Sequence, residues 1–350
     1  MTDNDSIFNA FQTKFSDISY FTNNQNQPTI RLVKMKNKSK KLVAKLVKED
    51  ENKNEDFYEK LKGPNFIKIE DIKILDNNKL VIMEKANGNI EKLCKDNILL
   101  KLRFNPFNEN LGDNLLRFFA KQIIDCLEII DRNYLVHFNI RPDNILIFPN
   151  LTIKLSGFSL LTKVKDIQEL NIPQGEKPNI TPEYFLNRPI SKEDAKKQDY
   201  FSLGSTLFSL FYGTDIFKGK ENDFNMNDGA EIEKKHFKFI NFLQKIISQI
   251  ESDQSMDKDL IEFLHNLINY TPNERPNLES IYRNKWLNKY NKEQREIMIL
   301  NHNNDRKAII EFKKSDFLIE KEKEKDLNRN IKKFKFKKNQ NYFNFLDIKL

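Results

Sequence analysis

Residues 135–147 read LVHFNIRPDNILI, and this stretch decides the fold. His137, Arg141, Pro142 and Asn144 are residue types that a chemistry-bearing loop uses. In their midst stands Asn139, whose amide cannot take up a proton at neutral pH. Whether this is an active site with one substitution or the remains of one depends on what surrounds it.

Upstream, TIRLVKM, KLVAKLV, FIKIEDIKIL and LVIME, all within residues 29–84, are rich in Val, Ile and Leu. KNKSK and DNNK separate two of the pairs, which predicts a small strand-rich region. Glu51 to Lys62 lacks Gly and Pro and can form a short helix. From Gly112 the texture changes. LLRFFAKQIIDCLEII (115–130) spaces its apolar residues for a buried helix, and FSLGSTLFSLFYG, FKFINFLQKIISQI and LIEFLHNLI predict three more.

Composition bounds the rest. The chain has 350 residues, 39% of them hydrophobic, enough for a globular core. Its two cysteines, Cys94 and Cys126, have no metal-type spacing and fit a reducing compartment. The N-terminus MTDNDSIFNAF carries acid where a secretory signal carries base, and no apolar run approaches the ~20 residues of a membrane span. A cytoplasmic protein with no transmembrane segment is the expectation. The net charge of +8 is uneven: from Asn288 onward, 17 Lys or Arg face 10 Asp or Glu, so seven of the eight excess charges lie at the C-terminal end from Asn288 on.

With the two regions in order, the segment from about 15 to 290 resembles a eukaryotic protein kinase domain. LVHFNIRPDNILI resembles the family's catalytic loop (HRD-x-K-P-x-N), and IKLSGFSLL resembles the strand that ends in DFG. TPEYF resembles the APE motif, DYFSLGSTLFSLFYG the DxWSLG helix, and TPNERPNLESIYRNKWL the closing RP…W helix. The resemblance implies an α+β bilobal fold: a small β-rich N-lobe at about 15–86 and a larger helical C-lobe at about 87–290. Residues 1–14 read as an N-terminal extension and 291–350 as a charged basic tail.

Carried over residue by residue, the resemblance separates scaffold from chemistry. Glu183 and Arg275 match a buried ion pair, Asp199 the carboxylate that holds the catalytic loop, and His137 and Phe158 two stacked spine residues. Phosphoryl transfer needs a carboxylate to orient the hydroxyl and metal ions to neutralise charge. Asn139 replaces that carboxylate, and Gly157 replaces the metal-binding aspartate. Asp143 sits at a variable position of the loop motif, and Asp166 lies too far downstream. No glycine precedes Gly63, so the phosphate-covering turn reads YFTNNQNQPTI without the glycines that let backbone amides approach phosphates. Lys45 matches the lysine that reaches the phosphates. Register gives its usual glutamate partner to Asn54, with Glu55 one step away. Asn144 matches the second metal ligand and Arg141 a phosphate-facing cation, while the hinge segment IMEKA, with Glu84 and Ala86, keeps backbone groups for an adenine. The cofactor implied is ATP, weakly held, with magnesium short of a ligand.

Phe138 replaces the arginine that would read a phosphorylated activation segment. Aligned with the family's pattern, Glu176 replaces the threonine that contacts the catalytic aspartate, and Asn179 replaces the tyrosine that lines the peptide site. The substrate platform has changed together with the chemistry, which reads as a pseudokinase acting as a binding or scaffolding module with a protein partner. Two other readings stand beside it: an atypical active serine/threonine kinase, and a structural subunit of a cytoskeletal or ciliary assembly. The tail, with EKEKEKD at 320–326 and IKKFKFKK at 331–338, reads either as a solvated end or as an arm for an acidic surface such as a microtubule, nucleic acid or anionic lipid.

Overall fold

The computed structural model describes residues 3–15, 18–23, 30–35, 41–48, 61–99, 111–167, 181–185, 191–217 and 232–289. The turn 24–29, the positions Asn54, Glu55, Glu176 and Asn179, and the tail from 291 lie outside the described residues. Contacts divide the chain into two units. The first, Met1–Ile216 with Phe224–Tyr290, holds both lobes; the second, Phe217–Asp223 with Asn291–Leu350, is described only at Phe217.

The N-lobe is an antiparallel sheet of β1 (Ile18–Asn23), β2 (Ile30–Met35), β3 (Leu42–Lys48), β4 (Ile69–Leu75) and β5 (Asn78–Glu84), in the order β1-β2-β3-β5-β4. Four of these strands are the Val/Ile/Leu runs of the sequence; β1 is an addition. The β3–β5 register sets Lys45 opposite Val81, Ala44 opposite Ile82 and Leu46 opposite Leu80. Side chains alternate along a strand, so Lys45 and Ala44 face opposite sides of the sheet.

The outer side, that of Ala44, is covered by α1 (Asp3–Lys14). Ile7, Phe8, Phe11 and Phe15 fall on one face of a helical turn pattern. Phe8 and Phe11 are buried in one cluster with Val33, Leu42, Ala44, Leu46, Leu80 and Ile82, and Ile7 and Phe15 pack against it. The stretch set apart in sequence as an extension therefore completes the lobe's core, and the lobe begins at α1 rather than at residue 15.

A two-residue strand, β6 (Gly88–Asn89), leads into α2 (Ile90–Lys95), which Asn89 caps by accepting the Lys92 N–H. The C-lobe is built on α3 (Leu111–Arg132) and α5 (Lys192–Tyr212), with α4 (Pro182–Phe185) between them in sequence and α6 (Ile232–Ser252), α7 (Lys258–Leu267), α8 (Leu278–Tyr282) and α9 (Lys285–Asn288) after them. Ser191 caps α5 by accepting the Asp194 N–H. From Gln198 to Tyr212 every residue of α5 is buried, as expected of a helix through the middle of a lobe. Its Gly204 permits a close crossing with α7: a Cβ there would lie 2.8 Å from Leu267 Cβ and 2.9 Å from Ile268 Cγ1. Trp286 of α9 is fully buried, its ring centroid 5.8 Å from that of Phe263.

The loops between α3 and α5 carry four short strands. β7 (Leu135–Val136) pairs with β10 (Thr162–Lys163), while β8 (Ile145–Ile147) lies between β6 and β9 (Ile153–Leu155). The lobes meet at the turn before β4. Asn65 donates from its side chain to the Gln122 side chain and to the Ile153 carbonyl, each at 2.9 Å. Its own carbonyl accepts the Leu155 N–H at 2.7 Å and the Cys126 thiol at 3.1 Å.

Candidate functional site

The loop 137–144 is held from below. Asp199, on α5, accepts the backbone N–H of His137 at 2.7 Å and that of Phe138 at 2.9 Å, one on each oxygen. Burial pushes its carboxyl up to about 7 from 3.8, and the two N–H groups oppose that rise. His137 is fully buried, and burial pulls its imidazole down to about 3, so the ring is neutral. A neutral ring accepts the Asn139 N–H on Nδ1 at 3.2 Å and meets Phe158 edge-on at a centroid distance of 5.4 Å. His137 here is a packing and accepting group, with no proton to exchange near neutral pH.

Phe138 has φ +58, a left-handed backbone that aromatic residues rarely adopt. What sustains it is Asp199 on one side and apolar burial on the other. Its ring sits with Val136, Leu160, Ile167 and Ala195, with Val164 packed against the group. This cluster joins the catalytic-type loop to the segment after Gly157, which also forms the β7–β10 ladder and donates the Val164 N–H to the Tyr134 carbonyl at 2.9 Å.

Asn139 is buried, and its carbonyl accepts Asn144 Nδ2 at 2.9 Å. Arg141 is turned toward Asp143, Nε to Oδ1 at 2.5 Å, each side chain about a third exposed. Asn144 accepts both the backbone N–H and the hydroxyl of Ser156 on its carbonyl, at 2.9 and 2.8 Å. Gly157 follows with φ +80 and ψ 47. A Cβ built there would lie 2.5 Å from Asn144 Cγ and 2.6 Å from both Nδ2 and Oδ1. The Asn144 amide thus occupies the space that any side chain at 157 would need.

Lys45 lies on the sheet face opposite α1, paired in register with Ile30 and Val81. At the hinge, Glu84 is spent on structure: Oε1 accepts the Lys68 N–H at 2.7 Å and pairs with Lys154 Nζ at 2.5 Å. Lys154 and Ser156 were not singled out in sequence, and nothing could have found them, since their partners Glu84 and Asn144 are 70 and 12 residues away. Asp166 ends an exposed turn, Val164–Asp166. Among the described residues, no group of three or more His, Cys, Asp or Glu is placed to hold a metal ion. At the matched positions 144 and 157 stand an amide and a glycine, and neither brings the carboxylate through which magnesium is usually bound.

Farther from the loop, Arg275 is buried with its whole guanidinium engaged. It pairs with Glu183, and Nε donates to the Asn269 carbonyl at 2.7 Å, while Nη1 donates to that of Lys197 at 3.0 Å. Burial lowers the guanidinium from its usual value, and the Glu183 charge pushes back. The scaffold pair expected from the sequence is in place.

A small β-sheet lobe, a helical lobe and a buried loop between them define the class, and a match to the protein kinase domain spans residues 21–287. The chain belongs to the protein kinase domain family. It is 25% identical over 229 residues to mouse (Mus musculus) sperm motility kinase 2B, covering 64% of this chain and 40% of that protein. It is 23% identical over 234 residues to the Drosophila persimilis serine/threonine-protein kinase PLK4, covering 66% of this chain and 26% of that one. The chain thus spans about two-fifths of the first relative's length and about a quarter of the second's. Among solved structures, the Cydia pomonella granulovirus kinase PK-1 shares the fold, with a TM-score of 0.58 at 16% identity over 81% of this chain and 99% of that one. Among the described residues, no helix is long and apolar enough to cross a membrane.

Proposed function

We propose that this protein is a pseudokinase, a kinase-fold binding or scaffolding module that does not transfer phosphate. The observation that carries the reading is the pair Asn139 and Gly157 in an otherwise well-held loop. The scaffold contacts of Asp199, His137, Glu183 and Arg275 are all made, while both carboxylate positions are filled by residues without a carboxylate. An amide at 139 orients a hydroxyl but accepts no proton, and Gly157 brings no metal ligand. ATP, where it binds, is held by Lys45 and the hinge backbone at Glu84 and Ala86, weakly and without magnesium. The working surface is then a protein-binding one, and the basic tail adds an arm for an acidic partner.

The test is phosphotransfer by the purified full chain, with labelled ATP and magnesium, to itself and to generic protein substrates. No transfer is expected, and Asn139→Asp alone does not create it. Magnesium-dependent transfer that disappears in Lys45→Met would establish the second reading, an atypical active serine/threonine kinase. That reading draws support from the kinase names of the relatives and from Lys45 at its place on β3. Nucleotide affinity is read separately from the melting temperature. A ligand at 100 times its Kd stabilises a fold by about 2.7 kcal/mol, and a large shift at micromolar ATP that requires magnesium contradicts the proposal.

A further inference from the structure

Helix α6 fills the core with one face and turns a basic, partly apolar one to solvent. Phe239, Leu243, Ile246 and Ile250 recur at helical spacing and are all buried. At about 100° per residue, Phe237 lies about 160° round the helix from Phe239, and its ring is 68% exposed. We propose that this outward side of α6 is a docking surface for an acidic amphipathic helix of a partner protein. The proposal rests on the reading of the protein as a binding module, and it names the face that binds and the chemistry it takes.

Two lines of side chains run along that side. On one flank Phe237, Ile240, Gln244 and Ile247 follow one another at helical spacing, with Phe237 and Gln244 exposed and the two isoleucines half-buried. On the other flank stand Lys234, Lys238 and Lys245, all exposed. From Lys234 to Ile250 the sequence holds four lysines and no Asp or Glu. The first acid beyond them, Glu251, is engaged with His265, whose Nδ1 lies 3.2 Å from its Oε1. A helix face that is merely solvated mixes charges of both signs. This one carries a single sign beside an apolar line.

The partner's chemistry follows from those two lines. A helix laid along α6 covers Phe237, Ile240 and Ile247 with its own apolar face, and Asp or Glu at its margin reaches the lysines. An exposed aromatic ringed by polar groups is where interface energy concentrates, while unlike charge speeds encounter and fixes register. Lys234 to Ile247 spans about 20 Å, the length of one face of a helix of about 14 residues. Because the isoleucines are recessed, the interdigitating side chains of a second helix reach them better than a flat bilayer does. A convex helix face also offers a strand of nucleic acid no groove to follow.

The experiment uses the full chain without nucleotide, so that phosphotransfer is scored separately: activity with this binding intact fails the pseudokinase reading and leaves the surface standing. The probe is a labelled helical peptide of about 20 residues, Leu on one face and Glu at its margins, with Lys in place of every Glu in the control. Fluorescence anisotropy is expected to show binding of the acidic peptide that weakens with salt. Phe237→Ala is expected to weaken it by about tenfold or more. Lys238→Glu combined with Lys245→Glu is expected to weaken it as well and to flatten its salt dependence. The basic tail is present in every variant, so binding indifferent to Phe237 belongs to the tail and overturns the proposal. Binding no tighter than that of the Lys control overturns it too. The Tm of Phe237→Ala is expected to stay within about 2 °C of wild type, and a larger fall means that the ring packs on the domain, which ends the proposal. Anionic vesicles and a single-stranded oligonucleotide are run alongside. Phe237-dependent binding to either of them, without binding of the peptide, overturns the choice of a protein helix.

Discussion

Asp199 accepts the backbone N–H of His137 at 2.7 Å across 62 positions of sequence, and both groups are buried to the point of preferring neutrality. Their effects on stability have opposite signs. The folded Asp199 holds its proton up to about pH 7, the unfolded one only to 3.8, so its contribution is full below 3.8 and is lost as pH rises toward 7. The folded His137 stays neutral down to about 3 while the unfolded one charges below 6.5, so its contribution is full above 6.5 and is lost as pH falls. Between about pH 4 and 6.5 the two slopes oppose each other, each at most about 1.4 kcal/mol per pH unit. Urea unfolding across this window should give Asp199→Asn a stability that climbs with pH relative to wild type. A parallel offset, with no change in slope, would show that the carboxyl does not keep its proton.

Arg275→Ala should cost about 3–5 kcal/mol, because it strands the buried Glu183 carboxylate and frees the carbonyls of Asn269, Lys197 and Tyr270. Pairing it with Glu183→Gln should cost less than the sum of the single changes. Additive losses in chemical denaturation would mean the pair does not act as a unit.

Phe11 is fully buried against β2, β3 and β5. Phe11→Ala should therefore destabilise by about 3–5 kcal/mol, as large-to-small changes in a core do. Removal of residues 1–14 should expose the outer sheet face and promote association, measurable by light scattering. A truncated chain that stays monomeric with an unchanged melting temperature would return α1 to the status of an appendage.

The cluster around Phe138 makes a prediction about the segment that follows Gly157. Phe138→Ala should speed hydrogen exchange at Thr162 and Lys163, which pair with β7, and at Val164, which donates to the Tyr134 carbonyl. Phe138→Arg should do so more strongly, since it buries a cation where Leu160, Ile167 and Ala195 offer no partner. Phosphatase treatment of the wild type should leave exchange there unchanged.

Truncation after Lys292 should leave the melting temperature nearly unaltered, since α9 ends at Asn288 with Trp286 already buried. Binding to an acidic surface should weaken and lose its salt dependence, because most of the net positive charge goes with the tail. Anionic and neutral vesicles, each at two salt concentrations, provide the comparison.

The fold was legible where periodicity and motif agree. The runs at 29–35, 41–47, 66–75 and 80–84 became β2 to β5, and the four apolar helical patterns became α3, α5, α6 and α7. Helix α1 is not legible in the sequence, because four apolar residues among charged and amide neighbours make a weak signal without the sheet that buries them. At the site, the identities of Asn139, Gly157 and Asn144 were readable, but their relation was not. That the 144 amide fills the 157 space depends on a positive φ and on where a strand ends, and one-dimensional spacing encodes neither. Phe138 shows the same limit: sequence registers a missing arginine, and only packing reveals what the phenyl ring does instead.

Asn65 gives the two lobes a common fate. Its side chain and carbonyl together make four hydrogen bonds into α3 and β9 from a turn that belongs to the sheet lobe. A joint of this kind transmits unfolding: once either lobe opens, the other is left with stranded polar groups at its seam. Calorimetry on the full chain should then record one endotherm rather than two. Either lobe expressed alone would carry an unfinished edge, and the smallest unit that melts cooperatively is the pair.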